Sequence, residues 1–114
     1  MSDRNRVIIN KIVKYCDDIS DIIGNSGYEE YKADIKMEYA CGMCIIQIGE
    51  LVTRLSEDFI KENEIVPWRI IRGMRNVYAH DYESIDNTSV WKTLTKDIPK
   101  LREQLRNILS DMQE

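Results

Sequence analysis

The sequence predicts an all-α protein, a bundle of four or five helices folded as one domain. Apolar residues recur at spacings of three and four along most of the chain, which is the period of an amphipathic helix. The sequence has no strand signal, no Asn-Gly hairpin turn and no internal repeat. A length of 114 residues suits one hydrophobic core, so we expect a single domain over residues 1–114.

Two helices are predicted in the first third of the chain. The first runs from Arg6 to Ile23 and carries its apolar residues on one face. These residues are Ile8, Ile12, Tyr15, Cys16, Ile19, Ile22 and Ile23. The turn-forming segment Gly24-Asn25-Ser26-Gly27 should end this helix, because glycine is common just past helix ends. A second, short helix is predicted from Tyr28 to Asp34.

The longest predicted helix runs from Met37 to Lys61. Its apolar residues form a narrow stripe at about 100° per residue. The stripe consists of Cys41, Cys44, Ile48, Leu51, Leu55 and Phe59. Gly42 and Gly49 inside this helix each cost about 1 kcal/mol relative to alanine. We therefore expect another backbone or side chain to pack closely against both glycines.

Two further helices complete the predicted bundle. Pro67 should begin a helix that continues to Ala79, because proline is well tolerated in the first turn. The last helix should be capped by Asn87 or Thr88. Pro99 should bend or divide that helix, since its ring removes an N–H donor and clashes with the preceding turn.

Composition restricts the cellular location of the protein and the kinds of disulfide and metal site that it could contain. No run approaches the roughly 18 to 20 apolar residues that cross a bilayer, and the N-terminus is polar, so we expect a cytoplasmic protein. Three cysteines are an odd number, which disfavours a disulfide framework. Cys41 and Cys44 lack the second ligand pair of a structural zinc site. We expect them to lie in the core, and we predict no metal and no cofactor.

The arginines are concentrated where the chain could meet a polyanion. The net charge is -4, so phosphate binding needs a local basic patch. Arg69, Arg72 and Arg75 lie within seven residues of one another, closely followed by the single histidine, His80. A DNA-binding helix-turn-helix is disfavoured by the acidic balance and by the lack of any other basic helix.

A helical projection of residues 68–80 separates two faces, with Arg72 placed at zero degrees. The predicted buried face lies at about 140° to 260° and consists of Ile70, Ile71, Met74, Val77 and Tyr78. The predicted exposed face consists of Arg69, Arg72, Arg75, Asn76 and His80. Asn76 lies one turn before His80, where it could orient the imidazole or cap local backbone.

This exposed face suits the cleavage of RNA. The ribose 2′-OH is an internal nucleophile, so an enzyme need only move protons and stabilise the crowded phosphorane. Histidine exchanges protons near neutral pH, since its unperturbed pKa is about 6.5. Arginine keeps its charge and meets phosphate oxygens with a planar pair of N–H groups. No metal is required for this reaction.

The segment from Arg75 to Tyr82 resembles the Arg-x4-His-x-Tyr signature of the HepT-like branch of the HEPN superfamily. Other segments resemble that branch in the same order. They are Ile48-Gly49-Glu50, Val66-Pro67-Trp68, Gly73-Met74-Arg75-Asn76, Val90-Trp91 and Ile98-Pro99. The resemblance covers nearly the whole chain.

The resemblance implies a HEPN-type helical bundle that forms a two-fold homodimer, with two motifs in one cleft and metal-independent RNase activity. It also implies a toxin–antitoxin operon whose antitoxin is an MNT-type nucleotidyltransferase. That partner would inactivate the toxin by transferring AMP to the motif tyrosine, Tyr82. Transfer RNA is one target that the resemblance suggests.

These expectations assign a role to each residue of the motif. Arg75 and His80 are the catalytic candidates, and Asn76 and Tyr82 support them. Arg69 and Arg72 either contact RNA phosphates or are ordinary surface charges. Since His80 is the only histidine, a symmetric dimer could supply one copy as base and the other as acid.

Several alternatives stay open at the level of sequence. Arg75 and His80 could be a solvated helix face that ends in a dipole-stabilising histidine. The protein could also be a non-catalytic helical dimer that binds a nucleotidyltransferase partner or a nucleotide. Glu50 either bonds an arginine of the motif across the bundle or is an ordinary solvated glutamate. We expect Tyr28, Tyr31 and Tyr39 to be core or interface aromatics.

Overall fold

Seven α-helices and no β-strand make up residues 3–112, the range that the computed structural model describes. The all-α prediction is confirmed. The helices are α1 (Asp3–Ile23), α2 (Tyr28–Ala33), α3 (Ile35–Val52), α4 (Glu57–Glu62), α5 (Trp68–His80), α6 (Asn87–Lys92) and α7 (Ile98–Met112). A 3₁₀ turn, Tyr82–Ser84, follows α5, and a wide π-helical segment, Thr93–Asp97, joins α6 to α7.

The first two helices lie where the sequence predicts them. Gly24 ends α1 in the left-handed region, at φ 54°, and its N–H bonds the carbonyl of Ser20 at 2.9 Å. Asp34 closes the short second helix, as predicted, and it also caps the start of the third. Its carboxylate accepts from the backbone N–H groups of Lys36 and Met37, at 3.0 and 3.2 Å.

The single helix predicted from Met37 to Lys61 is wrong, because the chain turns between α3 and α4. Ser56 caps α4 by accepting from the N–H of Phe59 at 3.3 Å. Asn5 of α1 holds this turn, since its side chain accepts from the Ser56 N–H at 3.2 Å and donates to Ser56 Oγ at 3.1 Å. Leu55 and Phe59 stay buried, so the apolar stripe continues through the break.

The later helices agree with the sequence in type and differ in detail. Trp68 begins α5 and donates its indole N–H to the carbonyl of Asn63 at 2.9 Å. Asp86, rather than Asn87 or Thr88, caps α6. The predicted interruption near Pro99 takes the form of the π-helical segment that ends just before α7. The wider turn there leaves room for the proline ring, and it adjusts the backbone hydrogen bonds where proline has no N–H to donate.

The core lies between four long helical stretches, with α3 packed on both α1 and α5 and with α1 packed on α7. The cysteines Cys16, Cys41 and Cys44 are buried in this core as free thiols, as predicted. Burial raises the pKa of the Cys41 thiol to about 12, as expected for a cysteine that only fills space. Within residues 3–112, no helix is both long and apolar enough to cross a membrane.

Candidate active site

The candidate site lies along the contact between α3 and α5, where α3 carries two glycines. A Cβ atom added to Gly49 would lie 2.2 Å from the Cβ of Arg75, which no real contact allows. One added to Gly42 would lie 3.5 Å from the ring of Tyr82 and 3.9 Å from that of Tyr78, an ordinary packing distance. The predicted close packing is confirmed at Gly49 and not at Gly42, where a Cβ would fit. Arg75 can occupy its position only because residue 49 has no side chain.

Arg75 is held from two sides at this contact. Its Nε forms an ion pair with Oε1 of Glu50 on α3, and its Nη1 donates to Oδ1 of Asn76 at 2.9 Å. Nε is shielded from solvent, and its contact with the carboxylate is one of charge rather than an aligned hydrogen bond. Glu50 therefore bonds an arginine of the motif, which was one of its two predicted roles.

His80 is the last residue of α5, and its side chain is exposed. Within residues 3–112 its imidazole makes no hydrogen bond or ion pair, and nothing joins it directly to Arg75. Five helical residues place the two side chains about 140° apart around the axis and about 7.5 Å apart along it.

The two faces predicted for α5 are only partly correct. Ile71 and Tyr78 are buried, as predicted, and Met74 is half-buried. Ile70 and Val77, which were predicted to be buried, are 68% and 47% exposed. The helix buries a narrower stripe against α3, and these two residues lie beyond its edge.

Arg75 departs from the predicted exposed face, because it belongs to the buried stripe together with Trp68, Ile71 and Tyr78. Its side chain is 33% exposed. The absent side chain of Gly49 and the carboxylate of Glu50 explain why a charged residue is accepted there. The helical projection treats arginine as exposed by type, and it contains no information about the neighbouring helix.

The other residues of the predicted exposed face of α5 are exposed, as predicted, but they have separate surroundings. Asn76 contacts Arg75, rather than His80 or the backbone. Arg72 lines a cleft of about 440 Å³ together with Lys61 and Glu57 of α4. Arg69 borders a different hollow beside Pro67. The three arginines therefore share one helix without forming a single cluster.

Tyr82 opens the 3₁₀ turn after α5 and packs its ring on α3. Its ring centroid lies 6.0 Å from that of Tyr39 and 6.5 Å from that of Tyr78, both in edge-on contact. Burial, reinforced by the carboxylate of Glu38, raises the pKa of Tyr82. The hydroxyl is therefore neutral at physiological pH.

An exposed apolar stripe on α3 was missed from the sequence. Tyr39 and Met43 are 60% and 56% exposed, and Ile46 continues the stripe. With Gly42 and Tyr82 they line an open hollow of about 300 Å³. The signal was present as spacings of four and three residues, but the stronger stripe through Cys41 and Cys44 concealed it. Apolar surface of this kind is typical of an interaction site.

The comparisons with known proteins agree with these features. The family described as "Ribonuclease HepT-like" matches residues 12–108. A Methanocaldococcus jannaschii protein named "Putative RNase MJ0125" is 28% identical over 109 residues, which cover 96% of this chain and 94% of the relative. A "Probable ribonuclease HepT" of Thermococcus cleftensis is 32% identical over 75 residues, or 66% of this chain and 68% of the relative.

A third relative extends the comparison to a bacterium. "Putative RNase TTE0752" of Caldanaerobacter subterraneus subsp. tengcongensis is 29% identical over 104 residues, covering 91% of this chain and 93% of the relative. No solved structure matches the chain. The family match extends from α1 to α7 and includes the whole segment from Arg75 to Tyr82. The chain therefore belongs to the HepT-like ribonuclease family of the HEPN superfamily.

Proposed function

We propose that the chain is a metal-independent endoribonuclease, in which Arg75 and His80 cut RNA at the cleft of a two-fold homodimer. The observation that carries the proposal is that one helix, α5, presents both a guanidinium held against α3 and, at its last residue, an exposed imidazole. Membership of a ribonuclease family supports RNA as the substrate.

The chemistry assigns one task to each group. An imidazole of His80 removes the proton of the ribose 2′-OH, whose oxygen then attacks the adjacent phosphorus. Arg75 stabilises the negative charge that develops on the phosphorane. The bond to the 5′-oxygen breaks, and a protonated imidazole supplies the proton for that leaving oxygen. The products are a 2′,3′-cyclic phosphate and a 5′-hydroxyl end.

The homodimer supplies what one chain lacks. The sequence has a single histidine, so a base and an acid can both be imidazoles only if two chains contribute. The exposed stripe of Tyr39 and Met43 on α3 lies beside the contact that holds Arg75, and a second copy would cover it. Burial of this stripe would bring both motifs to one cleft.

The path of RNA beyond the scissile phosphate is proposed from the exposed cations. Arg72 and Lys61 line one cleft, where they would contact a neighbouring phosphate. Arg69 is exposed one turn earlier on α5 and would extend the contact. Transfer RNA, as a folded RNA with accessible loops, is the substrate that we propose.

The regulation that we propose is a toxin–antitoxin pair with an MNT-type nucleotidyltransferase. The Tyr82 oxygen would attack the α-phosphorus of ATP, the bond to pyrophosphate would break, and the phenolic proton would pass to a base. Because burial raises the pKa of Tyr82, the partner enzyme would supply that base. An AMP group two residues from His80 would add bulk and negative charge where a substrate phosphate must approach.

Induced expression of the wild type and of His80→Ala tests the proposed function. We expect the wild type to arrest growth and to fragment RNA on a gel, and the variant to do neither. Lys11→Ala, a change at an exposed position on α1, is the control and should behave as the wild type. Equal growth with intact RNA for all three chains would favour a non-catalytic dimer that binds the nucleotidyltransferase or a nucleotide.

A further inference from the structure

We propose that Glu50 is a positioning residue, which holds the guanidinium of Arg75 in the orientation that RNA cleavage needs. The inference rests on the proposed ribonuclease function and deepens it. Glu50 lies on α3, outside the motif, and would not touch the substrate. It would act through its contact with Arg75.

The first observation is that the packing of the helices leads Arg75 towards Glu50. Gly49 leaves the space that the first carbons of the Arg75 side chain occupy, and a Cβ there would meet the Arg75 Cγ at 3.1 Å. The side chain therefore runs along the surface of α3. Glu50 is the next residue on that helix, and its carboxylate meets Nε where the guanidinium begins.

The second observation is that the guanidinium is held at two nitrogens. Glu50 contacts Nε, and Asn76 accepts from Nη1 at 2.9 Å. A planar group held at two of its three nitrogens has little freedom to rotate about the bond that carries it. Its remaining N–H donors can still reach a phosphate, because the Arg75 side chain is 33% exposed.

The third observation concerns charge. Nε is shielded from solvent, so the guanidinium lies partly outside water and needs a compensating partner there. The Glu50 carboxylate supplies it at this shielded nitrogen. The orientation of the guanidinium is then fixed when the chain folds, before the phosphorane forms. Electrostatic stabilisation of a transition state is effective when the stabilising group is oriented in advance in this way.

Three variants of Glu50 test the role in the purified protein. Glu50→Ala should lower kcat by about 10²-fold, because misplacement of a catalytic group by about 1 Å costs that much. Binding of RNA with a 2′-deoxy scissile nucleotide should change much less. Because the contact is one of charge, Glu50→Gln, which removes the charge, should recover little of the activity. Glu50→Asp retains the charge but is one methylene shorter, so it should recover part of the activity.

A second ion pair between two helices provides the control. Arg102 on α7 contacts Asp17 on α1 through Nε, and both side chains are 39% exposed. Asp17→Ala removes a carboxylate from an interhelical arginine far along the sequence from the motif. We expect the two alanine variants to lose similar thermal stability, whereas only Glu50→Ala loses turnover. Equal losses of turnover would show that Glu50 is merely structural and would overturn the proposal.

A readout without RNA separates this inference from the proposed function. The Arg75 Nε–H proton should exchange slowly with solvent by NMR in the wild type and rapidly in Glu50→Ala. Fast exchange in the wild type would overturn the positioning role, even in an active enzyme. A wild type that shows slow exchange but leaves RNA intact would overturn the proposed function, and with it the catalytic part of this inference, while the contact itself would stand.

Discussion

Two contacts between helices in this protein use the same pair of groups in different surroundings. The contact of α3 with α5 joins Arg75 to Glu50, and the contact of α1 with α7 joins Arg102 to Asp17. Asp17 is also within 3.8 Å of Arg106, so the second pair is part of a small surface network. The first pair instead lies beside Gly49 and an exposed apolar stripe. An isolated surface ion pair contributes only about 0–1 kcal/mol to the free energy of unfolding. The residues around an ion pair, rather than the pair itself, therefore indicate whether it has a function.

Removing the arginine at each contact should produce the largest difference. Arg75→Ala should lower kcat by about 10² to 10³-fold, the loss typical of one group that stabilises transition-state charge. Arg102→Ala should leave kcat unchanged and cost at most about 1 kcal/mol of unfolding free energy. Cleavage of a labelled RNA and thermal denaturation of both variants would measure these effects. Equal activity in the two variants would remove the distinction between the contacts.

The two glycines of α3 offer the next comparison. Gly49→Ala should destabilise the fold by about 1–3 kcal/mol and lower kcat, because its Cβ would lie 2.2 Å from that of Arg75. Gly42→Ala meets only ordinary contacts, the nearest at 3.5 Å, and should gain up to about 1 kcal/mol from helix propensity. Chemical denaturation measures both changes. A stable, active Gly49→Ala would mean that the helices separate without consequence.

The apolar stripe on α3 should matter for assembly more than for folding. Met43→Asp should weaken the proposed dimer by at least about 10-fold, because an unpaired carboxylate would be buried in the interface. Its melting temperature at low protein concentration should change little. Val7→Asp, at a residue of α1 that is 51% exposed, is the control. Sedimentation at several concentrations would measure the change, and identical behaviour of the two variants would exclude this stripe as the interface.

The smallest expected effect on cleavage belongs to Tyr82. Tyr82→Phe should change kcat by no more than about threefold, because the ring contacts with Tyr39 and Tyr78 remain. The same variant should take up no AMP from the nucleotidyltransferase and should stay toxic when the partner is present. Mass spectrometry and growth assays measure these outcomes. Normal neutralisation of Tyr82→Phe would refute modification at this residue.

Much of the fold could be predicted because most helices follow from local pattern. The 21 residues of α1 show a clear period and a glycine stop, and both are found in the structure. The break between α3 and α4 could not be predicted in this way. It depends on Asn5, which is 51 residues from Ser56 in sequence and holds the turn from another helix. Long-range hydrogen bonds of this kind leave no local period.

The candidate site also has features that local sequence predicts and features that depend on contacts with another helix. The order of Arg75, Asn76 and His80 in the sequence was enough to nominate them. The half-buried state of Arg75 was not predicted, because it depends on a glycine and a carboxylate of another helix. The exposure of Ile70 and Val77 was missed for the same reason, since side-chain type indicates a preference for burial and only packing determines which residues are covered.

The turn held by Asn5 links the first residues of the chain to the placement of α5. Asn5 is only 5% exposed and fixes Ser56, which caps α4. The Asn63 that follows α4 accepts from the indole of Trp68, at the first turn of α5. Trimming the amino terminus, or fusing a tag that unwinds its first turn, would therefore disturb a series of four hydrogen bonds that ends at the helix bearing the motif.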